Sequence, residues 1–417
     1  MRLKNFLLFG VVFLSLMATM NAVAAEKVFK LGIVGPFTGP MAQASADAKD
    51  GTIMAMEKIG YKIGEYKIEV VYVDDQGDAV KGTNAYSEAV ERLGVQASIL
   101  CMNSGVVVPL QDLQAKYKVP HFFCMGSGQS INDKWASFPP GKRYLIMKGW
   151  PTPAKLQKGY TDCFNYYLKK GIWKPDKKIV AIWGEDTDWG RGVGEAFKKG
   201  MVPSGWQVFT EEYFPFSQTE FYPFLTKCKQ AGVAALVGAT SSPPTIAGLM
   251  KQKKEIGLKA VLVTDGLNYF GDWYKMSGDA SDGVLDMLPQ FTTPPQLAWR
   301  DAFEKRFGHS PSASVAGQAY DYVLFFAKVG RRAIEKYKAL DSETLFKVGS
   351  EEVATGKLTY SAAEGSIIQA RYKCTPESAP DPVIGEQDYY FPVVQFKKGK
   401  GSNVYPERVK QADLVVE

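Results

Sequence analysis

The chain has 417 residues, of which 46% are hydrophobic and 23% charged, with 40 Gly and 23 Pro. At about 150 residues per domain, this length supports two to three cored domains, and the composition excludes wholesale disorder, collagen and coiled coil. The 50 Lys and Arg against 44 Asp and Glu leave a formal +6, spread so thinly that a solvated surface explains it better than a nucleic-acid groove.

The first element in chain order is a targeting segment. Arg2 and Lys4 give a positive start, residues 6–17 are mostly apolar, and Val23-Ala24-Ala25 supplies the small residues at which a signal peptidase cuts. The pattern predicts a signal peptide over 1–25 and a periplasmic protein that begins at Glu26. The apolar run falls short of the roughly 18 to 20 residues of a bilayer span, and no later stretch reaches that length. The protein is therefore expected not to be embedded in a membrane.

The remainder alternates short apolar strands with amphipathic helices. Strands are predicted over 28–34, 66–73, 97–102 and 120–125, with helices over 42–59, 81–93 and 106–116 between them. A second array has strands over 178–183, 207–213, 234–237 and 260–264, and helices over 192–199, 222–231 and 245–256. Nearly all-apolar strands separated by helices indicate an α/β fold whose parallel sheets are covered on both faces. Thr292-Thr293-Pro294-Pro295 reads as a linker. A helix over 319–337, a polar helix near 343–353 and β-like pieces over 356–360 and 388–396 follow.

In open parallel sheets, ligands bind where strands end and helix N-termini converge. After the first strand stands Gly35-Pro36-Phe37-Thr38-Gly39-Pro40, which is not a dinucleotide fingerprint, and no phosphate-binding GxxxxGK[ST] occurs. After the third and fourth strands stand Asn103-Ser104-Gly105 and Gly126-Ser127-Gly128. Each serine, one step before a helix, either caps that helix or donates to an anion. Two at equivalent places, in loops without Lys or Arg, favour a small anion held by neutral donors.

Catalytic parts are missing. Met125-Gly126-Ser127-Gly128-Gln129 lacks the last glycine of a hydrolase elbow. Of the two histidines, His121 falls in an apolar strand and His309 in a polar turn. Cys101, Cys124, Cys163, Cys228 and Cys374 form no paired-thiol motif and read as buried free thiols. No metal or cofactor is expected, and the chain is read as a non-enzyme. An exported hydrolase using Ser127 and a sensory ligand-binding subunit are the competing readings.

The motifs in order resemble the periplasmic binding proteins of branched-chain amino acid (Leu/Ile/Val-type) ABC transporters. They are Gly32-Ile33-Val34-Gly35-Pro36-Phe37-Thr38-Gly39-Pro40, Val73-Asp74-Asp75, the Ser104 loop, Asp188-Trp189-Gly190-Arg191-Gly192, Thr264-Asp265-Gly266, Tyr320-Asp321 and Val393-Val394-Gln395-Phe396. The resemblance implies a type I fold of two Rossmann-like lobes with parallel central sheets, joined by three crossovers near Trp150, Leu288 and Gly356. It divides the mature chain into an N-terminal lobe (26–149 plus 288–354) and a C-terminal lobe (150–287 plus 355–417).

By the same resemblance, Ser104 and Ser127 hold a ligand carboxylate, while Asn103, Gly105 and Gly126 offer backbone groups. Trp189 stands where the family has a ligand-contacting tyrosine, and Asp265 at or one step from the acid that holds an α-ammonium. Ser241 or Ser242 replaces a further tyrosine. Phe37, Trp150, Tyr269, Phe270 and Trp273 surround the expected rim, where a flat apolar ligand could stack. The implied ligand is an aliphatic amino acid, with an aromatic carboxylate or an amide or urea-type solute as alternative. The implied partner is an ABC transporter membrane permease, and a monomer is expected.

Overall fold

The computed structural model describes residues 26–416 apart from Pro40, Phe270 and Leu288. The expected signal peptide, the rim candidate Phe270 and the crossover at Leu288 thus lie outside the described residues.

The first sheet is built from β1 (Lys27–Gly35), β2 (Lys62–Ile63), β3 (Tyr66–Asp74), β4 (Ala97–Leu100) and β5 (His121–Cys124), in the order β2-β3-β1-β4-β5. β1 runs parallel to β3 from Lys27↔Tyr66 to Gly35↔Asp74 and parallel to β4 on its other side. The β2–β3 pair is an antiparallel hairpin at the edge. Successive side chains alternate between faces, so both faces of β1 need cover. Phe29, Leu31 and Ile33 join the core beneath α1 (Ala42–Lys58), while Val34 packs with Val106 and Leu110 of α3 (Ser104–Tyr117) and with Tyr86 of α2 (Ala79–Glu91). α4 (Gln129–Ser137) follows β5.

The second sheet has the order β7-β6-β8-β9, all parallel: β6 (Ile179–Glu185), β7 (Gln207–Phe214), β8 (Ala235–Ala239) and β9 (Val261–Leu262). Val180 and Ile182 face α5 (Pro153–Lys170) and α6 (Asp188–Met201), burying Tyr160, Phe164, Val193 and Phe197. Ala181 and Trp183 face α7 (Tyr222–Gln230) and α8 (Pro243–Glu255) through Phe224, Leu225, Ile246 and Leu249. The short α9 (Trp273–Ser277) and β10 (Leu285–Asp286) close this array.

The chain then returns to the first sheet. The expected linker is in fact the start of α10 (Pro294–Phe307): Thr293 and Gln296 form a capping box, and Pro294 and Pro295 occupy the first turn. Proline there has no hydrogen bond to lose and a pre-set φ. α11 (Gln318–Tyr337) packs Phe326 against Phe29 and Phe122 of the first sheet, and α12 (Ser342–Val348) follows.

The third passage comes later than expected. Beyond Gly356 the hairpin of β11 (Tyr360–Ser361) and β12 (Arg371–Tyr372) stays on α11. Tyr360 stacks on Phe325 at 5.8 Å, and the buried Asp321 carboxylate accepts from Ser366 Oγ, the amides of Ile367 and Ile368, and Tyr372 Oη at 2.9 to 3.0 Å. Only β13 (Val393–Lys397) and β14 (Lys400–Tyr405) join β10, in a three-stranded antiparallel sheet that a Val263↔Leu285 bridge ties to the end of β9. The β-like pattern over 388–396 therefore becomes strand only from Val393.

All five cysteines are buried and free. Among the described residues, no helix is long and apolar enough to cross a membrane.

Candidate functional site

The C-terminal ends of the two sheets face each other across a cavity of ≈ 550 Å³, mouth included. Met41, Met102, Asn103, Ser104, Met125, Ser127 and Val315 line it from the first sheet's side, and Glu185, Thr187, Trp189, Ser241 and Tyr269 from the second's, with Trp150 on the connection between them.

The loop after β4 is aimed by its backbone. Leu100 and Cys101 adopt φ of +76° and +60°, and the β4–β5 register shifts between Ile99 and Leu100. Left-handed backbone costs a non-glycine residue about 1 kcal/mol or more; the near-complete burial of both side chains offsets it. The turn delivers Asn103, whose side chain accepts from the Gly105 amide at 2.9 Å and caps α3. Ser104 opens that helix, and its Oγ accepts from the Gly128 amide at 3.0 Å. This bond locks the two serine loops together.

The neighbouring glycines serve packing rather than the cavity wall. A Cβ on Gly126 would lie 2.8 Å from Ile131 and 3.3 Å from the Ser104 backbone, and one on Gly105 3.3 Å from Asn103 Oδ1. Neither glycine lines the cavity, against the expectation that both would offer ligand contacts.

On the second side the central group is Glu185, the last residue of β6. Its Oε1 accepts from Thr187 Oγ1 at 2.7 Å; its Oε2 accepts from Thr240 Oγ1 at 3.2 Å and from the amide and hydroxyl of Ser241 at 2.8 and 3.0 Å. Burial pushes its carboxyl up from the usual range, and those hydrogen bonds pull it back. Glu185 lies two residues past the strand expected over 178–183, so that pattern gives it no place at the site. The available signal was its place at the carboxyl end of a parallel strand, just before a helix.

Four helices, α3, α4, α6 and α8, begin beside the cavity, and neither Lys nor Arg is among its described lining residues. Helix N-termini carry partial positive charge and unpaired N–H groups, which favour an anion. Ser130 Oγ donates to Asp188 Oδ2 at 3.0 Å, joining the starts of α4 and α6 across the gap.

Of the aromatic candidates, Trp150 and Trp189 line the cavity with Tyr269 between them, at ring distances of 5.8 and 6.1 Å, and Phe391 stacks behind Trp150 at 5.0 Å. Phe37 does not line it; the ring turns onto Tyr72 at 5.2 Å. Trp273 is buried on Phe396. Ser242 stands at the N-cap position of α8 without a capping bond to the backbone, its hydroxyl accepting from Thr245 Oγ1 at 2.9 Å, and it is Ser241 that reaches the cavity.

Asp265 also differs from expectation. It is 2% exposed, outside the cavity lining, and its Oδ2 accepts from Gln157 Nε2 at 2.7 Å. Burial and the neighbouring Asp286 carboxylate push it up to about 8. Neither histidine reaches the cavity. His121 bonds Ser98 Oγ at 2.7 Å, with burial lowering it to about 4, and His309 meets Asp50 at 2.9 Å. No histidine is therefore placed to activate Ser127.

Comparisons with known proteins agree with this architecture. Leu/Ile/Val-binding protein homolog 6 of Brucella suis is 26% identical over 250 residues, 59% of this chain; the chain spans only 60% of that relative's length. The crystal structure of the branched-chain amino acid transporter substrate binding protein LivJ from Streptococcus pneumoniae, in complex with isoleucine, superposes with a TM-score of 0.71 at 18% identity, covering 94% of this chain and 100% of that one. A solute binding protein of an ABC transporter from Rhodopseudomonas palustris BisB5, in complex with 3,4-dihydroxybenzoic acid, gives 0.69 at 21% identity, covering 90% and 95%. The family model for the periplasmic binding proteins matches residues 28–369, which includes the two facing sheets but for Lys27 and every described cavity-lining residue. With two such sheets facing one cleft, the chain belongs to the periplasmic binding protein family, a family of transport solute-binding proteins.

Proposed function

We propose that this protein captures a small apolar amino acid in the cleft and presents it to the permease of an ABC importer. The observation that carries this reading is the charge pattern of the cavity: four helix N-termini and two serine hydroxyls on a site with one lining acid, Glu185, and no described lining cation. A carboxylate takes hydrogen bonds from Ser104 and Ser127, which are stronger to an ion than to a neutral group. An ammonium meets Glu185, and the apolar side chain lies among Met41, Met102, Met125 and the rings of Trp150, Tyr269 and Trp189. Residues 26–149 with 289–391 form one jaw and residues 150–287 with 392–416 the other, closing by a hinge motion as ligand favours the closed state. The protein works as a periplasmic monomer after removal of residues 1–25.

A second ligand class has its own observation. Three rings border the cavity, and an aromatic carboxylate would stack on them while Glu185 accepts from a ring hydroxyl. The names of the relatives support both classes, since one is a Leu/Ile/Val-binding homologue and one structure holds 3,4-dihydroxybenzoic acid.

The test is a thermal-unfolding screen of mature protein, stripped of ligand by unfolding and refolding, against leucine, isoleucine, valine, phenylalanine, 4-hydroxybenzoate and acetamide. A ligand at about 100 times its Kd adds about 2.7 kcal/mol to the native state and raises Tm by several degrees. No shift with any of them sinks the proposal.

A further inference from the structure

The anion site has no cation among its described lining residues, yet one stands directly behind it. Lys148 lies between β5 and α5 with its side chain fully buried. Its Nζ has three acceptors: the Ser127 carbonyl at 3.1 Å, Asn132 Oδ1 at 2.8 Å and Asp381 Oδ1 at 3.1 Å. Three acceptors match the three N–H bonds of an ammonium; a neutral amine would turn its lone pair toward one of them. Asp381, equally buried, also accepts from Asn132 Nδ2, the Thr152 amide and Lys155 Nζ at 2.8 to 3.1 Å. Two lysines against one carboxylate leave this cluster one positive charge in excess.

The Ser127–Gly128 peptide connects that charge to the cavity. Its carbonyl accepts from Lys148, and its N–H donates to Ser104 Oγ at 3.0 Å. A peptide whose oxygen is bonded to a cation is a stronger donor at its nitrogen, because bonds in a chain polarise one another. A serine oxygen already accepting one bond keeps its proton for a different acceptor, and Ser104 lines the cavity.

We propose that Lys148 is a positioning residue for the anion site. Through the Ser127–Gly128 peptide it fixes the Ser104 hydroxyl as a donor into the cavity, so that a bound carboxylate feels a cation it never touches. The inference rests on the solute-binding reading only in requiring a carboxylate in this cleft.

The test uses the mature wild type and three variants: Lys148→Arg, Lys148→Met and Lys148→Met with Asp381→Asn. The double variant leaves no buried carboxylate deprived of Lys148 and so guards the fold, which circular dichroism checks. Calorimetry then compares leucine with leucinamide and 4-hydroxybenzoate with 4-hydroxybenzamide. Both methionine variants are expected to weaken the carboxylate about tenfold while moving its amide by less than about twofold, since only bonds to an ionised group gain from the relay. Lys148→Arg is expected to recover part of the loss.

Equal losses for carboxylate and amide in folded protein would mean a packing role and overturn the proposal. A second arm needs no ligand. With ¹³C-carbonyl serine and ¹⁵N-glycine labels, the Gly128 amide resonance is expected to move when Lys148 becomes Met, and an unmoved resonance overturns the relay. Wild type that binds none of the probes while its Gly128 resonance responds counts against the solute-binding reading instead.

Discussion

At the scale of single residues, the cavity has the hydroxyls of Ser104 and Ser127 on one side and the Glu185 carboxyl on the other, and the proposed function assigns a carboxylate to the first. Ser104→Ala removes a donor to an ionised group and is expected to weaken binding by about 1 to 3 kcal/mol in calorimetry. Glu185→Gln separates the two ligand classes. It is expected to lose an amino acid ligand by about tenfold or more, while an aromatic carboxylate keeps most of its affinity because an amide oxygen still accepts from a phenol. Asp265→Asn is expected to leave both affinities unchanged and to act on stability alone. The carboxyl of Asp265 is raised from 3.8 to about 8 in the folded protein. The native state therefore binds that proton more tightly than the unfolded chain, and the associated stability, full below about pH 4, is lost as pH rises through 8. Wild-type Tm should fall across that window, and the asparagine variant should fall less. The place of Ser104 and Ser127 at the cavity was legible because each stands just past a strand, where chemistry collects, whereas Trp150 and Trp189 were reached only through the family resemblance. Asp265 was not, because along a strand each step changes the face a side chain presents, and family order alone does not set that phase.

At the scale of elements, helix starts and close backbone approaches build the cavity wall. Asn103→Ala removes the cap of α3 and is expected to cost about 1 kcal/mol of stability. It also frees the Ser104 turn, so binding should weaken in the same variant. Gly126→Ala would push a methyl group into Ile131 at 2.8 Å and toward the Ser104 backbone at 3.3 Å. Chemical denaturation should show a loss of about 1 to 3 kcal/mol, the usual cost of overpacking; an unaltered midpoint would show that the loops give way. The alternation of apolar strands and amphipathic helices made both sheets readable, since a doubly covered strand has little choice but Val, Ile, Leu, Ala and Phe. Two features escaped it. Thr293-Pro294-Pro295 looks like a linker, although the same residues favour a helix start. The 356–391 segment has few apolar repeats, and hydrogen bonds to the single carboxylate of Asp321 hold its stretch from Ser366 to Tyr372.

At the scale of the whole molecule, backbone and side-chain contacts cross the gap between the two sheets. Gly271, just after the cavity residue Tyr269, packs on the Ser310–Pro311 backbone ahead of α11; a Cβ there would lie 1.7 Å from the Ser310 carbonyl oxygen. Gly271→Ala is expected to prop the jaws apart. Small-angle scattering at saturating ligand should then give a larger radius of gyration than wild type, with affinity weakened by about 1 to 3 kcal/mol. Unchanged compaction and affinity would show that closure does not need this contact. The sequence could state that two arrays exist but not how they meet, since such contacts join residues far apart in the chain. The five shielded thiols have a practical corollary. With all five thiols free and buried, folding is expected to need no oxidant, and refolding in reductant is expected to return the native protein. Every variant named above can then be compared in one buffer, without scrambled sulfur linkages among the outcomes.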